Sequence, residues 1–179
     1  MLPIITAPNQ VLSTKTKSVI KVDKDILDFV KQMEESLNFA TDPIGVGLAA
    51  PQVAKSLAIF IAKPTEKAKL QVFINPKITK IEEPTGKVKG KTKKLEGCLS
   101  LHNIWGEVER AKAVWLDYMD ETGKLHHKKF NGFIATIIQH EVDHLNGILF
   151  PKRVLEQKGT LYESKKNSKG EDIFEELTI

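Results

Sequence analysis

The run QHEVDHLNG (139–147) sets His140 and His144 four residues apart with Glu141 between them. On a helix that spacing puts both imidazoles on one face, about one turn apart. Two nitrogens so placed can bind one metal ion, and the carboxylate between them can handle a proton on water held there. A catalytic metal commonly has three protein ligands and an open position for water. Familiar peptidases with this motif take the third ligand from a downstream glutamate or histidine. Here residues 147–179 contain no histidine, and their glutamates (Glu156, Glu163, Glu171, Glu175 and Glu176) sit in a weakly patterned tail. Upstream, EGCLS (96–100) holds Cys98, the only cysteine of the chain. With no second cysteine a disulfide is excluded, and a thiolate is a strong ligand for iron, zinc or nickel. Cys98 is therefore the candidate third ligand; a nucleophile and a small buried core residue are the alternatives.

Two helices and several strands must bring these residues together. Asp23 can cap a helix whose apolar positions Ile26, Val30, Met33 and Leu37 form one stripe ending near Ala40. The glycine-rich stretch IGVGLAAPQ (44–52) follows, where shaping a loop is one alternative role for Gly45 and Gly47. Strand-like runs cover residues 57–62, 70–81 and 113–120, and Glu121-Thr122-Gly123 can turn the last into a partner strand ending near Phe130. The lysine-rich piece 86–94 alternates weakly and suits a solvent-facing edge strand or hairpin arm. A second helix opens at Asn131-Gly132 and runs to Asn146, with Gly147 placed to end it and Ile134, Ile138, Val142 and Leu145 as its buried stripe. Past Pro151 the pattern weakens, and Asn167-Ser168-Lys169-Gly170 offers the turn of a hairpin within residues 155–179. Strands in runs followed by a helix predict an α+β fold, with antiparallel sheets around a central helix carrying HEVDH.

The length of 179 residues suits a single domain, residues 1–179, large enough for a real core. A net charge of +4 is a mild basic excess with the lysines spread out, so it reads as a solvated surface. Nothing resembles a DNA-reading helix or an RNA-stacking motif, and no run approaches the roughly 18 apolar residues of a membrane span. One unpaired thiol and an opening without a basic leader or long apolar run point to the cytoplasm.

The segments GVGLAAPQ (45–52), EGCLS (96–100) and HEVDH (140–144), in this order and at these intervals, resemble the three signature segments of peptide deformylases. The opening LPIITAP is similar to that family's as well, and the likeness spans roughly residues 2–153. The resemblance implies an α+β enzyme that removes the formyl group from the formyl-methionine of new bacterial or organellar proteins. It makes Cys98, His140 and His144 the metal ligands and Glu141 the general base and acid. Gln52 and the Leu99 backbone amide would hold the formyl oxygen, and Gly47 would lie close to the substrate backbone. Phe133 and Ile137 fall where relatives line the methionine pocket, although core packing explains them nearly as well. Arg110 would keep part of an arginine's contact with substrate, and Asp143 would bond backbone or a ligand histidine. One divalent ion is implied, iron(II) first, with zinc or nickel in purified protein. Nascent N-formyl-methionyl peptides are the implied partners, with transient ribosome contact and neither DNA nor membrane.

The chain departs from the family pattern at two rim positions. His102 stands where most relatives have proline, and Trp105 where many carry an arginine that contacts substrate. The tail also lacks the look of the basic ribosome-docking helix of some relatives. A zinc peptidase is the competing enzyme, opposed by the cysteine and the missing downstream ligand. A formyl-peptide-binding protein without catalysis is the competing non-enzyme, opposed by the presence of both Glu141 and Gln52.

Overall fold

LAIFIA (57–62) is apolar at every position, a pattern suited to a strand covered on both faces. The computed structural model of the chain, which describes residues 1–41, 43–83 and 95–178, shows why. Strands β1 (Gly47–Ala49), β2 (Ile59–Ala62), β3 (Gln71–Glu82), β6 (Ala113–Met119) and β7 (Leu125–Asn131) form one antiparallel sheet in the order β1-β2-β3-β6-β7. Ile59, Ile61, Val72 and Ile74 face helix α1 (Lys24–Phe39) through its residues Phe29, Val30, Met33 and Leu37. Phe60, Ala62, Phe73, Val114 and Leu116 face the other way, onto Ala135, Ile137 and Ile138 of helix α2 (Phe133–Leu145). Alternate side chains of one strand therefore serve two helices, and α2 lies buried between layers.

A second antiparallel sheet runs in the order β4-β5-β8-β9, from β4 (Leu95–Cys98), β5 (Leu101–Glu107), β8 (Leu161–Lys166) and β9 (Asp172–Glu176). Helix α3 (Phe150–Glu156) packs on it, and Phe150, Val154, Leu161 and Cys98 share a small core there. The first helix begins at Asp23, whose side chain accepts from the Ile26 amide at 3.2 Å, and α2 ends one residue before Asn146, both as the sequence predicts.

Three stretches go beyond the sequence reading. The glycine-rich stretch 44–52 makes strand β1 and then a 3-10 turn over Ala50–Val53. Strands β4 and β5 were not anticipated, since Leu101–Glu107 alternates poorly, with Gly106 buried and Asn103 at a positive φ of 60°. Helix α3 shows only Phe150 and Val154 to its core, too few apolar residues for a visible period. The expected strand over 86–94 lies outside the described residues. No helix among the described residues is long and apolar enough to cross a membrane.

Gly147 fixes where α2 stops. Its φ is +71°, and a Cβ there would stand 2.6–2.8 Å from the Ser13 and Thr14 backbone. Beside it, the Thr16 amide and hydroxyl both donate to the Leu145 carbonyl at 2.9 Å, closing the helix end onto the N-terminal segment. Gly147→Ala should lower unfolding free energy by about 1–3 kcal/mol. A urea midpoint equal to that of the unsubstituted protein would show that this turn relaxes freely.

Candidate metal centre and substrate cavity

Three chain segments meet at the end of the second sheet nearest α2. Strand β4 and the turn after it carry Cys98, Leu99 and Ser100; the 3-10 turn carries Gln52; α2 carries His140, Glu141 and His144. The N-terminal segment straps the first two together, for Ile5 N–H donates to the Gln52 carbonyl at 2.7 Å and Ala7 N–H to the Ser100 carbonyl at 3.0 Å. Cys98 Sγ and one nitrogen each of His140 and His144 lie within 4.8 Å of one another. His144 Nε2 is 3.2 Å from both Cys98 Sγ and His140 Nε2. Two imidazole lone pairs and a thiol sulfur converging in a buried space suit a single cation of borderline softness, such as zinc, iron(II) or nickel. Cys98 is buried on the Phe150–Val154 core, and its sulfur faces His144 Nε2 with a nitrogen of His140 within 4.8 Å.

Behind the histidines runs a chain of buried charge. His140 Nδ1 lies 3.5 Å from Glu96, which takes two bonds from Arg110 at 3.1 and 2.8 Å. Arg110 also donates to Asp143 at 2.6 Å, and Asp143 receives Arg153 through two bonds at 3.1 and 2.6 Å. A carboxylate on the far nitrogen of a ligand histidine fixes its tautomer and raises its basicity. Burial works against the Glu96 carboxylate, yet His140 and Arg110 outweigh it and bring its pKa from 4.5 to about 2. Burial likewise opposes charge on His140, but Cys98, Glu96 and Glu141 overcome it and raise its pKa well above the ordinary value. His144 goes the other way, lowered by burial and by the positive charge of His140 and Arg110.

Glu141 is 3% exposed, and its Oε2 has no hydrogen-bond partner among the described residues. Burial chiefly pushes its pKa up to about 7, with Glu96 adding and His140 and Arg110 opposing. Gln52 is oriented instead. Its Oε1 accepts from the Ala49 amide at 2.9 Å, so its NH2 faces inward, 3.2 Å from Ser100 Oγ and 3.5 Å from Cys98 Sγ. A Cβ on Gly47 would collide with Glu141 Oε1 and come within 2.9 Å of Ile137, so only glycine leaves this space open.

The cavity holds about 540 Å3 and is lined by Gly47, Gln52, Cys98, Leu99, Arg110, Phe133, Ile137, His140 and Glu141, with His144 in the ligand cluster beneath. The ten residues expected to bind metal, bind substrate or do chemistry are thus gathered in one place. Arg110 among them, and Asp143 beside them, differ in detail. Arg110 reaches the wall, but each of its guanidinium nitrogens also bonds Glu96 or Asp143. Asp143, expected on backbone or a histidine, binds Arg110 and Arg153. Glu96, Ser100 and Arg153 escaped the sequence reading. The first two lie inside EGCLS, so motif membership was the available signal, whereas nothing in the sequence marks Arg153 as the partner of Asp143.

Comparison with known proteins places this cavity in context. The family profile described as Polypeptide deformylase matches residues 1–159. The chain is 40% identical over 149 residues to a peptide deformylase of Borreliella burgdorferi, covering 83% of this chain and 85% of the relative. It is 40% identical over 154 residues to peptide deformylase 1 of Bacillus cereus, covering 86% and 92%. The structure of the Thermus thermophilus peptide deformylase superposes with a TM-score of 0.76 at 34% identity, over 88% of each chain. That of the Synechococcus elongatus enzyme in complex with actinonin gives 0.74 at 33% identity, over 85% of this chain and 78% of the other.

Because the Glu96 pKa is lowered in the folded state, its stabilising part is complete above about pH 4.5 and is lost as pH falls toward 2. Metal-free Glu96→Gln should therefore be less stable than the parent near neutrality, yet lose less stability across that acid window. Parallel urea-midpoint profiles for the two proteins would contradict the assignment.

Proposed function

The chain belongs to the polypeptide deformylase family, and from that premise we propose that it removes the N-formyl group from the formyl-methionine of newly made polypeptides, releasing formate. The strongest support is the cavity floor, where a thiol and two imidazoles converge beside a buried carboxylate with a free oxygen and an inward-facing amide NH2. Cys98, His140 and His144 are the residues that would hold one divalent metal, iron(II) in the cell and zinc or nickel after purification. Bound there, the metal supplies Lewis acidity, lowering the pKa of water from about 15.7 toward 7 and polarising the formyl oxygen.

The remaining steps belong to this chain's own groups. Glu141 accepts the proton of the attacking water and returns it to the departing amine; a carboxyl near neutrality suits both directions. Gln52 Nε2 turns from Ser100 and Cys98 to the formyl oxygen, joined by the Leu99 amide in the turn after β4. Each such donor to a developing oxyanion is typically worth about 2.7–4 kcal/mol. Among the described residues, strands β1 and β4 are both sheet edges and both line the cavity, so an extended peptide can add its backbone to either. Gly47 leaves room for that backbone, while Ile137 and Phe133 offer apolar surface to the methionine side chain. We assign Arg110 to holding Glu96, and through it His140, with no direct hold on the peptide. The catalytic domain is taken as the whole chain, working in the cytoplasm on nascent peptides in transient contact with the ribosome.

Incubation with formyl-Met-Ala-Ser, acetyl-Met-Ala-Ser and an unblocked longer peptide should release formate from the first alone. The extra methyl of acetyl must enter close-packed space, commonly at about 1–3 kcal/mol, and it displaces the carbonyl from the attacking water. Internal cleavage without formate would replace this function with that of a peptidase. In the same assay Glu141→Gln should keep its metal but lose at least about two orders of magnitude in kcat. Near-normal turnover would mean that another group handles the proton. Cys98→Ala should remain folded and copurify with far less metal, and an unchanged metal content would remove Cys98 from the ligand set.

A further inference from the structure

The β8–β9 hairpin lies beyond residue 159, where the family match ends, and yet it touches a residue of the cavity wall. Trp105 makes the connection. Its backbone in β5 pairs with Gly97 on one side and with Tyr162 of β8 on the other. Its indole lies across Gly97, where a Cβ would stand only 2.8–3.1 Å from three ring atoms. That places an aromatic face beside the residue preceding the ligand Cys98, in the cavity wall. The hairpin fixes this pose twice over. Trp105 Nε1 donates to Ser164 Oγ of β8 at 3.1 Å, and the Phe174 ring of β9 stands edge-on to the indole at 5.7 Å and 89°. The hairpin is itself anchored, since Leu161 and Leu177 pack on the Phe150–Val154 core and Leu177 N–H donates to the Leu161 carbonyl at 2.8 Å.

We infer that the β8–β9 hairpin is a specificity element which, by holding Trp105 over Gly97, builds a subsite for an apolar side chain at the third residue of the formyl-peptide. This rests on the deformylase reading. In an extended peptide alternate side chains share a face, so the third residue returns to the side on which the methionine is buried. A cavity of about 540 Å3 exceeds what one methionine side chain fills, and Trp105 with Val108 and Leu95 makes the additional wall apolar. Of the two cations that line the cavity, Arg110 is already neutralised by Glu96 and Asp143 and Lys112 sits beside Gly132 at the start of α2, so the Trp105 wall offers apolar contact. Ser164 and Phe174 pair with each other across the hairpin and are absent from the cavity lining, so they act through Trp105 and are positioning residues.

Formyl-Met-Ala-Phe, formyl-Met-Ala-Ser and formyl-Met-Ala test it, the dipeptide being too short to reach Trp105. The parent enzyme should show roughly tenfold lower KM for the Phe than for the Ser peptide at similar kcat, as one aromatic contact implies. Trp105→Ala and the double variant Ser164→Ala/Phe174→Ala should both bring that ratio to about one, whereas Phe174→Tyr should preserve it. A ratio that survives the hairpin double variant overturns the proposal. A second arm needs no turnover: with Trp115→Phe, Trp105 is the sole tryptophan, because the chain has two. In that background with Glu141→Gln, formyl-Met-Ala-Phe should change the fluorescence of Trp105 and formyl-Met-Ala should not. Equal responses to both peptides, or silence to both, overturn the subsite. Absence of formate from every peptide would instead remove the deformylase reading, leaving the fluorescence arm to decide whether the subsite exists.

Discussion

Asp143 lies between two guanidiniums, and the geometry of the centre depends on that arrangement. Through Arg153 it ties α2 to α3, and through Arg110 it reaches Glu96 on β4, which in turn stands beside His140. Removing one member of such a buried network commonly costs about 3–5 kcal/mol, since the partner left behind keeps its charge without compensation. An apolar replacement of the whole set could be as stable, so stability alone is not a reason for it to be there. What it supplies is registration. Cys98 and the two histidines come from different layers of the fold, and the charge chain spans the same two layers. It holds the thiol on β4 and the two imidazoles on α2 within 4.8 Å of one another.

Burial makes that registration chemically useful and sets its costs. Helix α2 is covered by the five-stranded sheet on one side and approached by β4 on the other, so Glu141 and His144 sit almost without solvent. Low polarity around Glu141 disfavours its charge and brings it toward neutrality, where it can both accept and return a proton. The same burial would be ruinous for Gln52 if its amide were unpaired. The Ala49 amide, Ser100 hydroxyl and Cys98 sulfur prevent that while keeping its NH2 pointed at the cavity. Space comes from Gly47, where any side chain would meet Glu141.

The sequence announced its chemistry more clearly than its architecture. Two histidines one turn apart and a lone cysteine are local facts, and both helices that matter here carry complete signals, Asp23 opening one and Gly147 closing the other. Strand β2 was also legible, because two-faced burial writes a continuous apolar run. Strands β4 and β5 were not, since they are half-covered and include a buried glycine and a residue at positive φ. The supports of the site were hidden for another reason. That Asp143 should meet Arg153 and Arg110, or that Trp105 should meet Ser164 and Phe174, follows from packing between elements distant in the chain. Composition and periodicity hold no record of such pairs.

The central claim is that one sulfur and two imidazole nitrogens, held in register by buried charge, form a single metal centre. X-ray absorption at the edge of the metal that copurifies with the chain tests it most directly. The account predicts a first shell with one sulfur and two histidine nitrogens, and loss of the sulfur scatterer from whatever metal Cys98→Ala retains. A shell of nitrogen and oxygen alone in the parent protein, or one unchanged by that substitution, would contradict it.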